Sequence, residues 1–465
     1  MPLAVDLDGT LVASDLMLES VLLLARKQPL ELLKLPLWLA QGRARLKHHL
    51  AKREIPDVRT LPYNRALVDY LTEEKRRGRS LVLATAADEA VARGIAGELR
   101  LFDAVYASDG TTNLSGEHKR ARLVGEFGAR GFDYAGGSVR DRAVWSAARK
   151  AILVGPPSAL RGLAAQAGTV ERVFQTSAFG IGALLSALRV HHWFKNVLVF
   201  LPLVADHRLY EAAPLSHALV AFVAFCLCAS SVYLLNDLLD LPDDRLHPHK
   251  KERMLASGRM SIASALTLIP LLLIGATVLA LAQSEALLGV IGIYWLLMLA
   301  YCFKLREVLL LDVTTLAGGY TLRAVAGAVA AGLAVAWSLL AFCMLFFFGL
   351  ALLKRYAELV TMHSIGRIQA RAYLARHSGI LAVAGCGSGC LALGALAYLL
   401  SFDQRTSGRY ALIWLLFPLL FYWLAHIWTM ARRGRIVADP VTFAIADRPS
   451  WLVAALSALI VLLST

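Results

Sequence analysis

A series of apolar runs, each close to the length of a bilayer crossing, fills most of the chain beyond about residue 175. An α-helix rises about 1.5 Å per residue, so about 20 apolar residues bridge a hydrocarbon layer of about 30 Å. About nine runs meet this description, at 195–206 with its flanks, 215–236, 262–282, 286–303, 309–331, 333–353, 379–401, 410–430 and 450–464. Only helices and closed barrels satisfy their backbone polar groups inside lipid. The second half is therefore expected to be an all-α bundle of about nine transmembrane helices. Of the 465 residues, 57% are hydrophobic and 18% charged, which excludes both a disordered chain and an ordinary soluble enzyme.

The loops between these runs are unequal in charge. One alternate set carries Arg245, Lys250, Lys251, Arg253, Arg259, Lys304, Arg306, Lys354, Arg355, Arg367, Arg371, Arg376, Arg432, Arg433, Arg435 and Arg448, whereas the other carries Arg208, Arg405 and Arg409. The positive-inside rule assigns the first set to the cytoplasm. Nine spans starting inside then leave the N-terminal half in the cytoplasm, and the chain is expected in the inner (plasma) membrane. Up to residue 175 the chain holds 26 Lys/Arg and 20 Asp/Glu mixed with apolar residues, the texture of a soluble α/β domain. Met1–Val5 leads straight into Asp6, which reads as the absence of a signal peptide. The expected organisation is a soluble domain over 1–160, a linker over 161–178 after Gly155-Pro156-Pro157, and a membrane domain over 179–465.

Two acidic motifs carry chemistry. Pro2–Leu7 is an apolar strand ending in Asp6-Leu7-Asp8-Gly9-Thr10. A carboxylate at a strand end, a second one two residues on and then a Gly turn suit phosphoryl transfer. Asp6 can attack phosphorus, Asp8 can serve as general acid and base, and both can help hold Mg²⁺. A second strand, Ser80–Ala84, ends at Thr85, whose hydroxyl can bind a phosphate oxygen, and Lys119 can neutralise the phosphate charge. Asp141 follows Tyr134-Ala-Gly-Gly-Ser-Val-Arg. In the second half, Asn236-Asp237-Leu-Leu-Asp240-Leu-Pro-Asp-Asp244 closes an apolar run, with Asp237, Asp240 and Asp244 at i, i+3 and i+7 of a helix. Three like charges on one face call for a counter-cation. A Mg²⁺ ion shared with a diphosphate fits, with Lys250 and Arg253 gripping the far oxygens.

The order of strand-end residues in the first half resembles the haloacid dehalogenase-like hydrolases, over about residues 1–155. The resemblance implies an α/β Rossmann-like domain with a small helical cap around 14–60 and a Mg²⁺-dependent phosphatase. In it Asp6 is the nucleophile, Asp8 the acid/base, and Thr85 and Lys119 the phosphate binders. The chain departs from that family at Gly137, where a metal-binding Asp or Asn is usual, which leaves Asp141 or water to supply the ligand. The cap runs Leu16–Leu24 and Leu30–Leu39 have two readings, ordinary packing or docking on the membrane face.

The Asn-Asp-x-x-Asp-x-x-x-Asp pattern resembles the UbiA superfamily of intramembrane prenyltransferases, over about 180–465. Where those enzymes usually carry a second acidic motif, this chain reads Lys354-Arg355-Tyr356-Ala357-Glu358. That departure, with Arg189-Val-His-His-Trp-Phe-Lys195-Asn196 and Asp312…Arg323, looks like the decaprenyl-phosphate phosphoribosyltransferase branch. The branch implies phosphoribosyl diphosphate as donor and a polyprenyl phosphate as acceptor. The alternative is a prenyl diphosphate donor with an aromatic or lipid acceptor. Lys195, Lys354, Arg355 and Glu358 are expected at the substrate phosphates, the two lysines alternatively snorkelling to headgroups. Arg323 either binds a phosphate, oriented by Asp312, or forms an internal ion pair with it. The basic surplus of +14 is thus read as serving phosphates and lipid. Nucleic acid is not an expected partner, because no aromatic-basic constellation supports it.

Overall fold

Side chains along the first strand alternate between two separate cores. Leu3 and Val5 of β1 (Leu3–Val5) pack with Leu81, Leu83, Val91, Ile95, Ile152 and Val154, whereas Ala4 packs with Ala84, Leu123, Phe132, Tyr134, Trp145 and Leu153. Such period-two division, with both faces apolar, is what a parallel sheet covered by helices on each side requires. The sheet also includes β2 (Leu81–Asp88), β3 (Ala104–Ser108), β4 (Asp133–Gly136), β5 (Ala151–Gly155) and β6 (Val170–Gln175), in the order β3-β2-β1-β4-β5-β6. All its pairings are parallel, with Val5 opposite Leu83 on one side and Ala135 on the other. The chain order reverses at β1, so the carboxyl end of β1 opens into the crevice where such sheets bind ligands.

The computed structural model describes residues 1–164, 167–176, 180–364, 369–370, 373–402, 408–436 and 439–464. They divide into two compact units, Met1–Leu188 with Tyr233–Ile269, and Arg189–Val232 with Pro270–Thr465. The first unit holds the sheet and a helical cap between β1 and β2. Helix α1 (Leu16–Lys27) opens with Asp15, whose carboxylate accepts from the Leu18 amide at 3.0 Å. A 3₁₀ turn (Pro29–Lys34) and the helices Leu35–Ala40 and Arg43–Ala51 follow. Leu24, Trp38, Leu46 and Leu50 form the cap's own core. The same unit contains the end of the long helix Ala212–Leu239, the short helix Leu241–Leu246 and the turn Lys250–Glu252.

The second unit is helical. Among the described residues, six helices are long and apolar enough to cross a membrane, and the pair Pro440–Ala446 and Arg448–Leu463, bent by 88°, makes a seventh if it is one span. This differs from the nine runs read in the sequence, for local reasons. The first run forms a 3₁₀ segment (Val190–Phe200) followed by the five-residue helix Leu201–Ala205. The run 309–331 does form a 20-residue helix, Leu311–Ala330, but Asp312, Arg323 and its threonines and glycines make it more polar than the six. The last run is one arm of the bent pair. Arg367, Arg371 and Arg405, counted above in the loop charges, lie outside the described residues. Gly327 sets one close approach, because a Cβ there would fall 1.7 Å from the Val199 carbonyl oxygen. The missing side chain lets the 3₁₀ segment lie against the Leu311–Ala330 helix, the role small residues play between membrane helices.

Candidate functional site

Asp6 follows β1 directly, and its carboxylate accepts from the Lys119 ammonium at 2.6 Å and from the Thr10 hydroxyl at 3.4 Å. Lys119, from the Glu117–Phe127 helix, also donates to the Tyr134 hydroxyl at 2.9 Å, and that hydroxyl donates to Asp141 at 2.6 Å. A buried relay Asp6–Lys119–Tyr134–Asp141 therefore joins β1, a helix and the end of β4. Asp8 accepts from the Leu16 amide at 3.0 Å, which links it to the start of the cap. Thr85 is fully buried in β2, and the parallel register puts it at the same sheet end as Asp6. Its hydroxyl accepts from the Ala87 amide at 3.0 Å.

Burial lifts the Asp6 carboxyl to about 6 against the pull of Lys119, with the Asp141 charge adding to the lift. Burial also lifts Asp8, to about 7, with Asp15 as the next contributor. For Lys119 burial acts downward, but the charges of Asp6 and Asp141 outweigh it and raise its pKa. The two carboxyls are thus poised differently near neutrality, Asp6 as the stronger acid and Asp8 as the proton holder.

Asp141 is fully occupied. One oxygen meets the Tyr134 hydroxyl, and the other accepts from the Ser138 amide and hydroxyl, both at 2.9 Å, and from the Gly137 amide at 3.2 Å. At Gly137 itself a Cβ would lie 2.5 Å from the Val154 carbonyl oxygen and 3.2 Å from that of Gly9. The backbone packing that closes this corner of the sheet excludes any side chain there. Tyr134 was missed in the sequence, where a tyrosine in an apolar strand carried no sign that its hydroxyl lies between a lysine and an aspartate.

The Asp-rich motif of the second half also lies in the first unit. The long helix stops at Leu239, and Asp240 heads the next helix, Leu241–Leu246, with Pro242 in its first turn. The motif is therefore divided between two helices at Asp240. Asp237 and Asp244 converge on the Arg253 guanidinium, at 3.2 and 2.5 Å, whereas Asp240 accepts from the Asn236 amide at 3.0 Å. Burial lifts the Asp244 carboxyl to about 6, against the pull of Arg253. Lys250 opens the turn that delivers Arg253 to this pair.

In the second unit Arg323 and Asp312 have separate partners, which corrects the expectation that they act together. The Arg323 guanidinium donates to Asn196 and to the Gly319 carbonyl, both at 2.6 Å, and to the Tyr294 hydroxyl at 3.1 Å. Asp312 accepts from Arg355 and from the Tyr373 hydroxyl, both at 2.5 Å. The other Arg355 nitrogens reach Glu358 at 2.6 Å and the Tyr301 hydroxyl at 3.2 Å. Eleven residues of helix do bring Asp312 and Arg323 to one side, but each meets a different neighbouring element first. Lys195 pairs with Asp439, and Lys354 lies in the field of the same carboxylate. Asp439 belongs to neither motif, and no local pattern marks it in the sequence. Among the described residues no three His, Cys, Asp or Glu side chains are grouped closely enough to hold a metal by themselves.

Residues 198–445 match the model of the UbiA prenyltransferase family. The uncharacterized protein y4nM of Sinorhizobium fredii is 35% identical over 98% of this chain and 90% of its own length. The nodulation protein NoeC of Azorhizobium caulinodans is 32% identical over 57% of this chain and 87% of its own. A decaprenyl-phosphate phosphoribosyltransferase of Mycolicibacterium smegmatis is 39% identical over 38% of this chain and 58% of its own length.

Proposed function

The chain belongs to the UbiA prenyltransferase family, and from that premise we propose that it moves 5-phosphoribose from phosphoribosyl diphosphate to a polyprenyl phosphate. The observation that carries this reading is the Arg253 guanidinium between Asp237 and Asp244. Two acids around one cation leave a net negative seat beside basic side chains, which suits a metal diphosphate. Mg²⁺ takes hard oxygen ligands and keeps waters and substrate oxygens, so one or two carboxylates suffice. Asp237 and Asp244 fit that requirement, with Asp240 and Asn236 beside them. When bound, the ion would supply charge neutralisation for the departing diphosphate.

The remaining work falls to the chain. Lys250 and Arg253 grip diphosphate oxygens. The bond from ribose C1 to the diphosphate breaks with its electron pair leaving on the diphosphate, and a phosphate oxygen of the lipid bonds to C1. Lys195, paired with Asp439, and Lys354 meet substrate phosphates in this reading. Arg323, Arg355 and Glu358 act from within the framework through the internal partners described above. The named activity of the 39%-identical relative, and a lysine-arginine pair where a second acidic motif is usual, support this donor over a prenyl diphosphate.

The N-terminal domain is proposed as a haloacid dehalogenase-like phosphatase that removes the 5-phosphate from the product. The Asp6 carboxylate attacks phosphorus and the ester bond breaks, with Asp8 giving its proton to the leaving alcohol oxygen. Water then attacks the aspartyl phosphate, with Asp8 taking up the proton. Lys119 and Thr85 bind the phosphate oxygens. Asp6 and Asp8 would hold a divalent ion here without help from the last motif, since Gly137 has no room for a ligand and both Asp141 oxygens are engaged. The loop-charge bias supports a cytoplasmic N-terminal domain on an inner-membrane protein. Purified protein in lipid nanodiscs, given phosphoribosyl diphosphate and a polyprenyl phosphate, should yield lipid-linked phosphoribose by mass. Prenylation of an aromatic acid from a prenyl diphosphate, with no lipid-linked phosphoribose, would reassign the donor.

A further inference from the structure

The cap segment Pro29–Ala40 is apolar on both of its faces. Leu32, Leu35 and Trp38 turn inward against Leu24, Leu46 and Leu50. Leu30, Leu33, Leu37 and Leu39 turn outward with 79, 80, 61 and 53% of their surface exposed. Soluble domains seldom leave four neighbouring leucines this open. Within the same unit, helix α1, which leads into this segment, is fastened to the Asp-rich turn. The Arg245 guanidinium forms a two-pronged, buried pair with Glu19, at 2.7 and 2.9 Å. Arg26 pairs with Asp243 at 2.7 Å and reaches the Leu239 carbonyl at 3.5 Å. Leu239 is the last residue of a 28-residue helix that is long and apolar enough to cross a membrane. The leucine face begins four residues after Arg26, with Lys27 just before it and Lys34 within it, both half-exposed and each paired with a glutamate, Glu54 and Glu31.

We propose that Pro29–Ala40 is an interfacial element that enters the headgroup layer of the protein's own membrane through Leu30, Leu33, Leu37 and Leu39. The lysines stay with the phosphates, as in other amphipathic interfacial segments. The clamp through Glu19, Arg245, Arg26 and Asp243 sets the depth. The segment ties the N-terminal pocket to the lipid surface, because α1 also contributes Leu16, Met17 and Ser20 to the pocket that contains Asp8. This inference does not depend on which substrate either site takes.

The test uses the full chain in liposomes that mimic a bacterial inner membrane. A nitroxide is attached at Leu33→Cys or Leu37→Cys, with the six native cysteines replaced, and its access to oxygen is compared with its access to a water-soluble nickel chelate. Oxygen-favoured collisions at both sites, and chelate-favoured ones at Arg76→Cys, are expected. Chelate-favoured collisions at 33 and 37 would overturn the proposal, and so would exclusion of both reagents, the sign of a covering protein. Should the cysteine-replaced chain fail to fold, a benzophenone amino acid at position 33 of the otherwise native chain gives the same decision by mass. A lipid adduct supports the proposal, and adducts to protein or none at all overturn it. Glu19→Gln should lower the lipid-adduct yield severalfold, and the swapped pair Glu19→Arg with Arg245→Glu should restore it.

Discussion

Arg355 and Asp312, 43 residues apart in the chain, meet at 2.5 Å with neither side chain exposed to solvent. The same guanidinium holds Glu358 and Tyr301, so one arginine satisfies an acid from the Leu311–Ala330 helix and another on its own helix. Arg355→Ala strands Asp312 as an unpaired buried charge and should cost about 3–5 kcal/mol. Arg355→Lys should recover little, since an ammonium cannot reproduce a three-way planar fork. Arg355→Ala with Asp312→Asn should be milder than Arg355→Ala alone. Unfolding midpoints in detergent check the order.

Asp237 and Asp6 should separate the two proposed activities. Asp237→Ala removes one of the two acids around Arg253 and should lower transfer by about 100-fold or more. Asp6→Ala should leave transfer intact and let the 5-phosphorylated lipid accumulate. Mass analysis of the lipid products reads both outcomes. Loss of transfer in Asp6→Ala would refute the separation of sites.

The pH profile of the N-terminal site follows from the two carboxyls. Asp6 attacks only when ionised, so phosphatase activity should rise as pH climbs through about 6. Asp8 donates only when protonated, so activity should fall above about 7, leaving a narrow bell. Stability has a matching sign. The Asp8 carboxyl holds its proton more tightly folded, at about 7, than at its ordinary 3.8. Its contribution is therefore fully present below about 4 and lost as pH rises through about 7. Asp8→Asn should raise the unfolding midpoint at pH 8 and leave it nearly unchanged at pH 4.

Gly137 invites a repair that should fail. Gly137→Asp would restore a family-like acid on paper, but its Cβ would lie 2.5 Å from the Val154 carbonyl oxygen. The expected result is a loss of about 1–3 kcal/mol in stability, with no gain in phosphatase activity. A Gly137→Asp protein of native stability with faster, Mg²⁺-dependent turnover would refute this account of the corner.

The motifs themselves were legible because each is local. Asp6 and Asp8 share one strand end, and Asn236 to Asp244 lie close together in sequence, so spacing alone predicted their proximity. Partners that meet across the fold were not legible. Glu19 and Arg245 are separated by 226 residues and lie in segments whose composition shows no link. Tyr134 and Asp439 looked like an ordinary strand residue and an ordinary loop acid. The Asp312–Arg323 reading had the correct helix face and the wrong partner, because periodicity fixes direction along one helix but not what stands opposite.

The sequence by itself determined the division of labour, since apolar run length dictates which half must be helical and shielded from water, and strand-end acids dictate which half has a sheet crevice. It also determined the membrane family, through one acidic motif whose spacing is chemically specific. Tertiary structure decided which charges are spent internally and which remain to meet a ligand. Buried ions must be satisfied by whatever group lies nearest in space. Packing sets that neighbour through features such as the absent side chain of Gly327 or the helix break at Asp240, and these acquire meaning only once the helices are in place.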